Sequence, residues 1–121
     1  MNTSMIHIVD DDEAVRSALH LLLRSLGMRA QAFESAQEFL DALPGGAPDC
    51  LLLDLNMPEM NGAELQETLA ARASRIPVIV ISARPDSPLA ARALAAGART
   101  VLEKPLREQD LIDAVQGALA A

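Results

Sequence analysis

An α/β fold, with a five-stranded parallel sheet and five helices on its two faces, is predicted for this chain, and three observations predict it. Five short apolar runs, at residues 6–9, 28–33, 49–54, 78–81 and 100–103, alternate with segments whose apolar residues recur at helical spacing. The runs are apolar nearly throughout instead of alternating with polar residues, as strands covered on both faces are. Two of them stop in acid: residues 6–9 are followed by Asp10-Asp11-Asp12, and Leu51-Leu52-Leu53 is followed by Asp54. Ligands of open α/β sheets bind beyond the carboxyl ends of the strands, so two acidic stops at such ends point to one site. The strand order expected of five such units is 2-1-3-4-5, reached through right-handed crossovers.

Each element has a local cause. After the first strand, Val15, Leu19, Leu22 and Leu26 mark a helix that Gly27 ends. Residues 28–33 are the weakest strand. In Ser35-Ala36-Gln37-Glu38 the Ser and Glu have the spacing of a capping box, which opens a short second helix, and Gly45-Gly46 breaks the chain after it. The third strand ends at Asp54, and beyond the turn containing Asn61-Gly62 the third helix carries Leu65 and Leu69. Pro77 introduces Val78-Ile79-Val80-Ile81, the most strand-like run, which ends at Ser82. Ser87-Pro88 supplies an N-cap and a proline at the first helical position for an alanine-rich fourth helix, closed by Gly97. Lys104-Pro105 stops the short fifth strand, and Leu111, Ile112, Val115 and Leu119 give the fifth helix its buried stripe.

Length and composition bound the functional classes. The 121 residues, half of them apolar, suit a single domain spanning 1–121 without linker or repeat. A formal charge of −7 with scattered Lys and Arg argues against direct nucleic-acid binding, which needs a basic patch. No apolar stretch reaches the roughly 18 residues of a membrane span, and the N-terminus has no signal-peptide pattern, so a soluble, cytoplasmic protein with no membrane partner is expected. The single cysteine, Cys50, lies inside an apolar run and reads as a buried, inert thiol.

The predicted order makes strands one and three neighbours, so Asp10, Asp11 and Asp54 converge, with Ser82 and Lys104 ending strands four and five beside them. At about 5 Å and an effective dielectric near 20, each carboxylate pair repels by roughly 3 kcal/mol, so the cluster calls for a cation or a raised pKa. A hard divalent cation, Mg²⁺, is the simplest answer: Asp11 would ligate it directly, Asp10 directly or through water, Asp54 as well, and the Asn56 carbonyl could add a ligand. A carboxylate beside a divalent cation, an ammonium and a hydroxyl has the parts to receive a phosphoryl group. Asp54 would be the nucleophile, Lys104 would offset charge on the equatorial oxygens, and Ser82 would donate its hydroxyl to one of them.

These residues make the sequence resemble a response-regulator receiver domain, the CheY-like phosphoacceptor of two-component signalling, over nearly its whole length. The resemblance is carried by Asp10-Asp11-Asp12, Asp54 in Leu53-Asp54-Leu55-Asn56-Met57-Pro58, Met60-Asn61-Gly62, Ser82, Ala96-Gly97-Ala98 and Lys104-Pro105. The opening Ile6-His7-Ile8-Val9-Asp10-Asp11, Asp86 with Pro88, and Glu103-Lys104-Pro105 are similar to receivers of the FixJ type. In those proteins a helix-turn-helix domain follows the receiver; no such pattern lies within these 121 residues, so an isolated receiver or a single-domain regulator is expected. The resemblance implies a sensor histidine kinase as phosphodonor, a conformational switch whose output is transcription, and a cis Lys104–Pro105 bond. It also implies a homodimer through the fourth helix, fifth strand and fifth helix, and marks Asn56 and Arg84 as positions that tune the lifetime of the phosphorylated state. Such a protein is a phosphoacceptor switch that assists its own phosphorylation and dephosphorylation, not a turnover enzyme. Two positions depart from the commonest pattern: Thr100-Val101-Leu102 lacks the aromatic of many fifth strands, and Ser82 stands in place of threonine.

Plainer readings compete at several positions. Asp12 and Glu13 read better as helix-capping acids than as ligands. His7 and His20 have no His or Cys partner at ligand spacing and read as packing or surface residues. Met57-Pro58 and Met60 read as loop packing. Among rival functions, a phosphatase of the haloacid dehalogenase type needs a second acid two residues after the nucleophile, where this chain has Asn56. A receiver fold that has lost its chemistry would not keep the full set of acids, hydroxyl and lysine.

Overall fold

A computed structural model describes residues 4–120; the expected domain span of 1–121 reaches outside them at both ends. Five parallel strands, β1 (Met5–Val9), β2 (Arg29–Phe33), β3 (Cys50–Asp54), β4 (Val78–Ser82) and β5 (Thr100–Glu103), form one sheet in the order β2-β1-β3-β4-β5. Five helices connect or follow them: α1 (Glu13–Ser25), α2 (Ala36–Ala42), α3 (Gly62–Ala71), α4 (Pro88–Ala95) and α5 (Glu108–Ala120). The predicted strand order and helix count are both present.

The strands alternate their buried residues between two cores. Ile6, Ile8, Cys50, Leu52, Ile79 and Ile81 face one way and meet Leu19 and Leu23 of α1 with Leu111, Val115 and Ala118 of α5. Val9, Leu51, Leu53, Val78 and Val80 face the other way, against Phe39 of α2, Leu65 and Leu69 of α3, and Ala90 and Ala93 of α4. Both faces of β1, β3 and β4 are therefore covered, which is why these runs carry no polar alternation. The edge strand β2 has three exposed residues of its five, and this explains the weakness of its sequence signal.

Helix starts follow the capping residues read from the sequence, with one correction. Asp12 accepts from the N–H groups of Ala14 and Val15, and Ser87 from that of Ala90, with Pro88 at the first helical position. At α2 the expected capping box is only half formed: Ser35 Oγ accepts from Glu38 N–H at 3.1 Å, but the Glu38 carboxylate accepts from Glu34 N–H, one residue before the cap. The reciprocal pair forms at α3 instead, where Asn61 Oδ1 accepts from Glu64 N–H and Glu64 Oε1 from Asn61 N–H, both at 2.9 Å.

Cys50 is fully buried, and burial is the main cause that pushes its thiol up to about 12, in keeping with an inert side chain. His7 is also a packing residue: its ring meets Phe33 and Phe39 edge-on at 5.1 and 5.8 Å. Met57 is buried, with Met60 packed beside it, as loop packing requires. No helix among the described residues is long and apolar enough to cross a membrane.

Candidate phosphoacceptor and metal site

Asp10 follows β1, Asp54 ends β3, Ser82 ends β4 and Lys104 follows β5, so all four leave the sheet at its carboxyl edge. Their backbones remain tied to neighbouring strands. Asp10 N–H donates to the Phe33 carbonyl at 3.2 Å, Leu55 N–H to Ile81 at 3.4 Å, and Lys104 N–H to Ser82 at 2.9 Å. The side chains are thus carried on the last rungs of the ladder, where position is well fixed, and not on free loop.

Lys104 draws the site together. Its Nζ lies 3.2 Å from Asp54 Oδ1 and 3.3 Å from Asp10 Oδ2. Asp10 and Asp54 are buried, at 1% and 4% exposure, while Asp11 is exposed, and one carboxylate oxygen from each of the three lies within 4.8 Å of the others. Burial raises the Asp54 pKa, the charge of Asp10 raises it further, and Lys104 opposes both. Burial acts to lower the Lys104 pKa, but the carboxylates of Asp54 and Asp10 outweigh it and the net direction is upward. One ammonium therefore pairs with two buried carboxylates, and the exposed Asp11 adds a third acid to the cluster, leaving excess negative charge in a partly desolvated cleft. The donors are all hard carboxylate oxygens, the set that Mg²⁺ prefers, so the residues present fit such an ion.

Ser82 is fully buried, and its Oγ accepts from the N–H of Arg84 at 3.0 Å, so its own proton remains available to an acceptor. Its register partner is Glu103, while Asp54 pairs with Ile81, which puts the hydroxyl one residue beyond the strand position opposite Asp54. Asn56 and Arg84 are both exposed, each two residues past its strand end. The Lys104–Pro105 bond is cis.

Three further contacts shape the site beyond the roles the sequence assigns. Asp10 Oδ1 accepts from Asp12 N–H at 2.9 Å, an Asx-type turn that was legible in Asp10-Asp11-Asp12. Arg16 Nη1 donates to the Asp10 carbonyl at 2.8 Å, a contact with no sequence signal. Gly62 is the third. A Cβ there would lie 2.4 Å from the Asp54 carbonyl oxygen and 2.8 Å from Leu55 Cα, so only glycine lets the start of α3 pass this close to the end of β3.

Comparison with known proteins agrees with this fold. The model of the response regulator receiver domain family matches residues 6–116. Response regulator protein TmoT of Ectopseudomonas mendocina is 47% identical over 116 residues, covering 96% of this chain and 53% of that protein. Transcriptional regulatory protein FixJ of Bradyrhizobium diazoefficiens is 39% identical over 114 residues, covering 94% and 56%. The crystal structure of FixJ-N superposes with a TM-score of 0.90 at 38% identity, covering 99% of this chain and 96% of that one. The chain spans about half the length of the curated relatives it matches.

Proposed function

The chain belongs to the response regulator receiver family, and from that premise we propose that Asp54 takes a phosphoryl group from the phosphohistidine of a sensor histidine kinase. An Asp54 carboxylate oxygen attacks phosphorus, the P–N bond to the donor imidazole breaks, and the imidazole keeps the electron pair and takes up a proton. The observation that carries this reading is the Lys104 ammonium held between Asp54 and Asp10 inside an acidic cluster at the sheet edge. Lys104 keeps a cation beside the carboxylate that must stay ionised to attack, and beyond the N–H groups it gives to Asp54 and Asp10 it has one more for a phosphoryl oxygen that arrives there. The Ser82 hydroxyl donates to one of those oxygens.

Asp10, Asp11 and Asp54, with the Asn56 carbonyl, would hold Mg²⁺. When bound, the ion offsets negative charge on the phosphoryl oxygens. Asn56 also speaks against a phosphatase of the haloacid dehalogenase type, because the position two residues after Asp54 carries no acid. We read the output as transcription, following the regulatory proteins to which the chain is similar, and the dimer surface as α4, β5 and α5.

Incubation with acetyl phosphate and Mg²⁺ should add one phosphoryl mass to the protein. The Asp54→Asn variant should gain none; a variant that still gains it would show that another residue is the acceptor.

A further inference from the structure

α4 is fastened to α3 by two side chains that follow each other on α3. Gln66, only 6% exposed, sends its amide Nε2–H to the carbonyl of Ala96, the residue that caps α4, at 3.0 Å. Glu67 takes Nε and Nη2 of Arg92 on its two carboxylate oxygens at 3.1 and 2.6 Å. The other polar atom of Gln66, Oε1, is buried and has no hydrogen-bond partner. The amide is therefore half satisfied where α4 lies, and a position of α4 that brought a donor to Oε1 would recover part of that cost.

Apolar packing of α4 on the sheet is slight: its fully buried residues are two alanines, Ala90 and Ala93, whose single methyl groups interlock weakly, joined by the partly buried Leu89 near its start. Its N-terminus continues from the loop that leaves Ser82, whose Oγ holds the Arg84 N–H. The helix thus hangs between the reacting end of the sheet and the clasp on α3.

We propose that Gln66 and the Glu67–Arg92 pair form a latch that holds α4 against α3 in the unmodified chain and opposes the repositioning of α4 when Asp54 is phosphorylated. This rests on the phosphoacceptor reading of Asp54. The ion pair is exposed, so its loss should shift the balance by about two- to fivefold. Gln66→Leu removes the bond to Ala96 together with the unmet acceptor, so it should loosen α4 without large loss of global stability.

Amide hydrogen exchange without phosphodonor comes first. Exchange across 88–97 should rise about two- to fivefold in Glu67→Ala and rise in Gln66→Leu, with α1 unchanged. The double variant Glu67→Arg with Arg92→Glu should return to the parent level. A titration with beryllofluoride and Mg²⁺, read by backbone chemical shifts, should then saturate at two- to fivefold lower concentration in Glu67→Ala than in the parent. Parental exchange in both single variants would overturn the latch, and so would raised exchange with an unchanged or weaker beryllofluoride response. A parent protein with no Asp54-dependent response would instead sink the phosphoacceptor reading, and the exchange data alone would then decide whether the clasp holds α4.

Discussion

At single residues, the site depends on a close approach and on buried polar groups. Gly62→Ala would drive a methyl into the Asp54 carbonyl, so urea denaturation should show a loss of about 1–3 kcal/mol, together with slower phosphorylation because the end of β3 must shift. His7 is 5% exposed among Phe33 and Phe39, and burial lowers its pKa below 6.5. The unfolded chain therefore takes up a proton first as pH falls, and stability is present above about pH 6.5 and declines below it, by at most about 1.4 kcal/mol per pH unit. His7→Phe should flatten that decline; equal slopes from pH 7 to 5 in the two proteins would show that His7 is not its source. Arg84 is exposed two residues beyond Ser82, and its planar fork of donors suits phosphoryl oxygens. If it covers the acyl phosphate, Arg84→Ala should lose the label faster in Mg²⁺ buffer without kinase, and equal or slower decay would remove it from that role. Asp10, Asp54, Ser82 and Lys104 were legible in the sequence because each ends an apolar run. Gly62 and Arg16 were not, since their roles depend on how closely β3 and α3 pass and on which face of α1 turns toward Asp10.

The elements themselves were readable where a cap or a continuous apolar run marked them. β4 is apolar from Val78 to Ile81 because both its faces are covered, and α4 begins at Ser87-Pro88 because the serine side chain caps the Ala90 N–H and the proline presets the first helical turn. The α2 start departs from the full capping box that Ser35 and Glu38 predict because the Glu38 carboxylate accepts from Glu34 instead of Ser35, a choice that depends on the path of the incoming chain. The Asn61–Glu64 pair has capping-box spacing, but the adjoining Asn61-Gly62 carries the stronger signal, that of a turn. At this scale the account predicts where the switch moves. Val101 of β5 packs partly against the core beneath α4, and Leu102 against the opposite core, so the fifth strand offers no aromatic ring to reorient. Movement must pass through the Ser82 loop and the α4 backbone. Chemical-shift changes on adding beryllofluoride and Mg²⁺ should concentrate between residues 82 and 104, and changes confined to α2 and α3 would contradict this.

Over the whole molecule, the doubly covered sheet and the acidic site are two sides of one arrangement. Two cores hold five strands in the order β2-β1-β3-β4-β5, and that order makes β1 and β3 neighbours, so the acids that follow them must share a cleft. Their mutual repulsion opposes folding and is offset in part by Lys104, which also ties β5 to the two central strands. The net charge of −7 adds to the attraction of this edge for a cation and for a positively charged partner surface. The central claim is that Asp54 is the residue that becomes an acyl phosphate. Acyl phosphates are reduced by borohydride to the alcohol, so protein treated with acetyl phosphate and Mg²⁺, reduced and digested, should yield a peptide with homoserine at position 54 and aspartate retained at 10 and 11. Homoserine at 10 or 11, or a reduction-resistant phosphate on Ser82, would contradict the account.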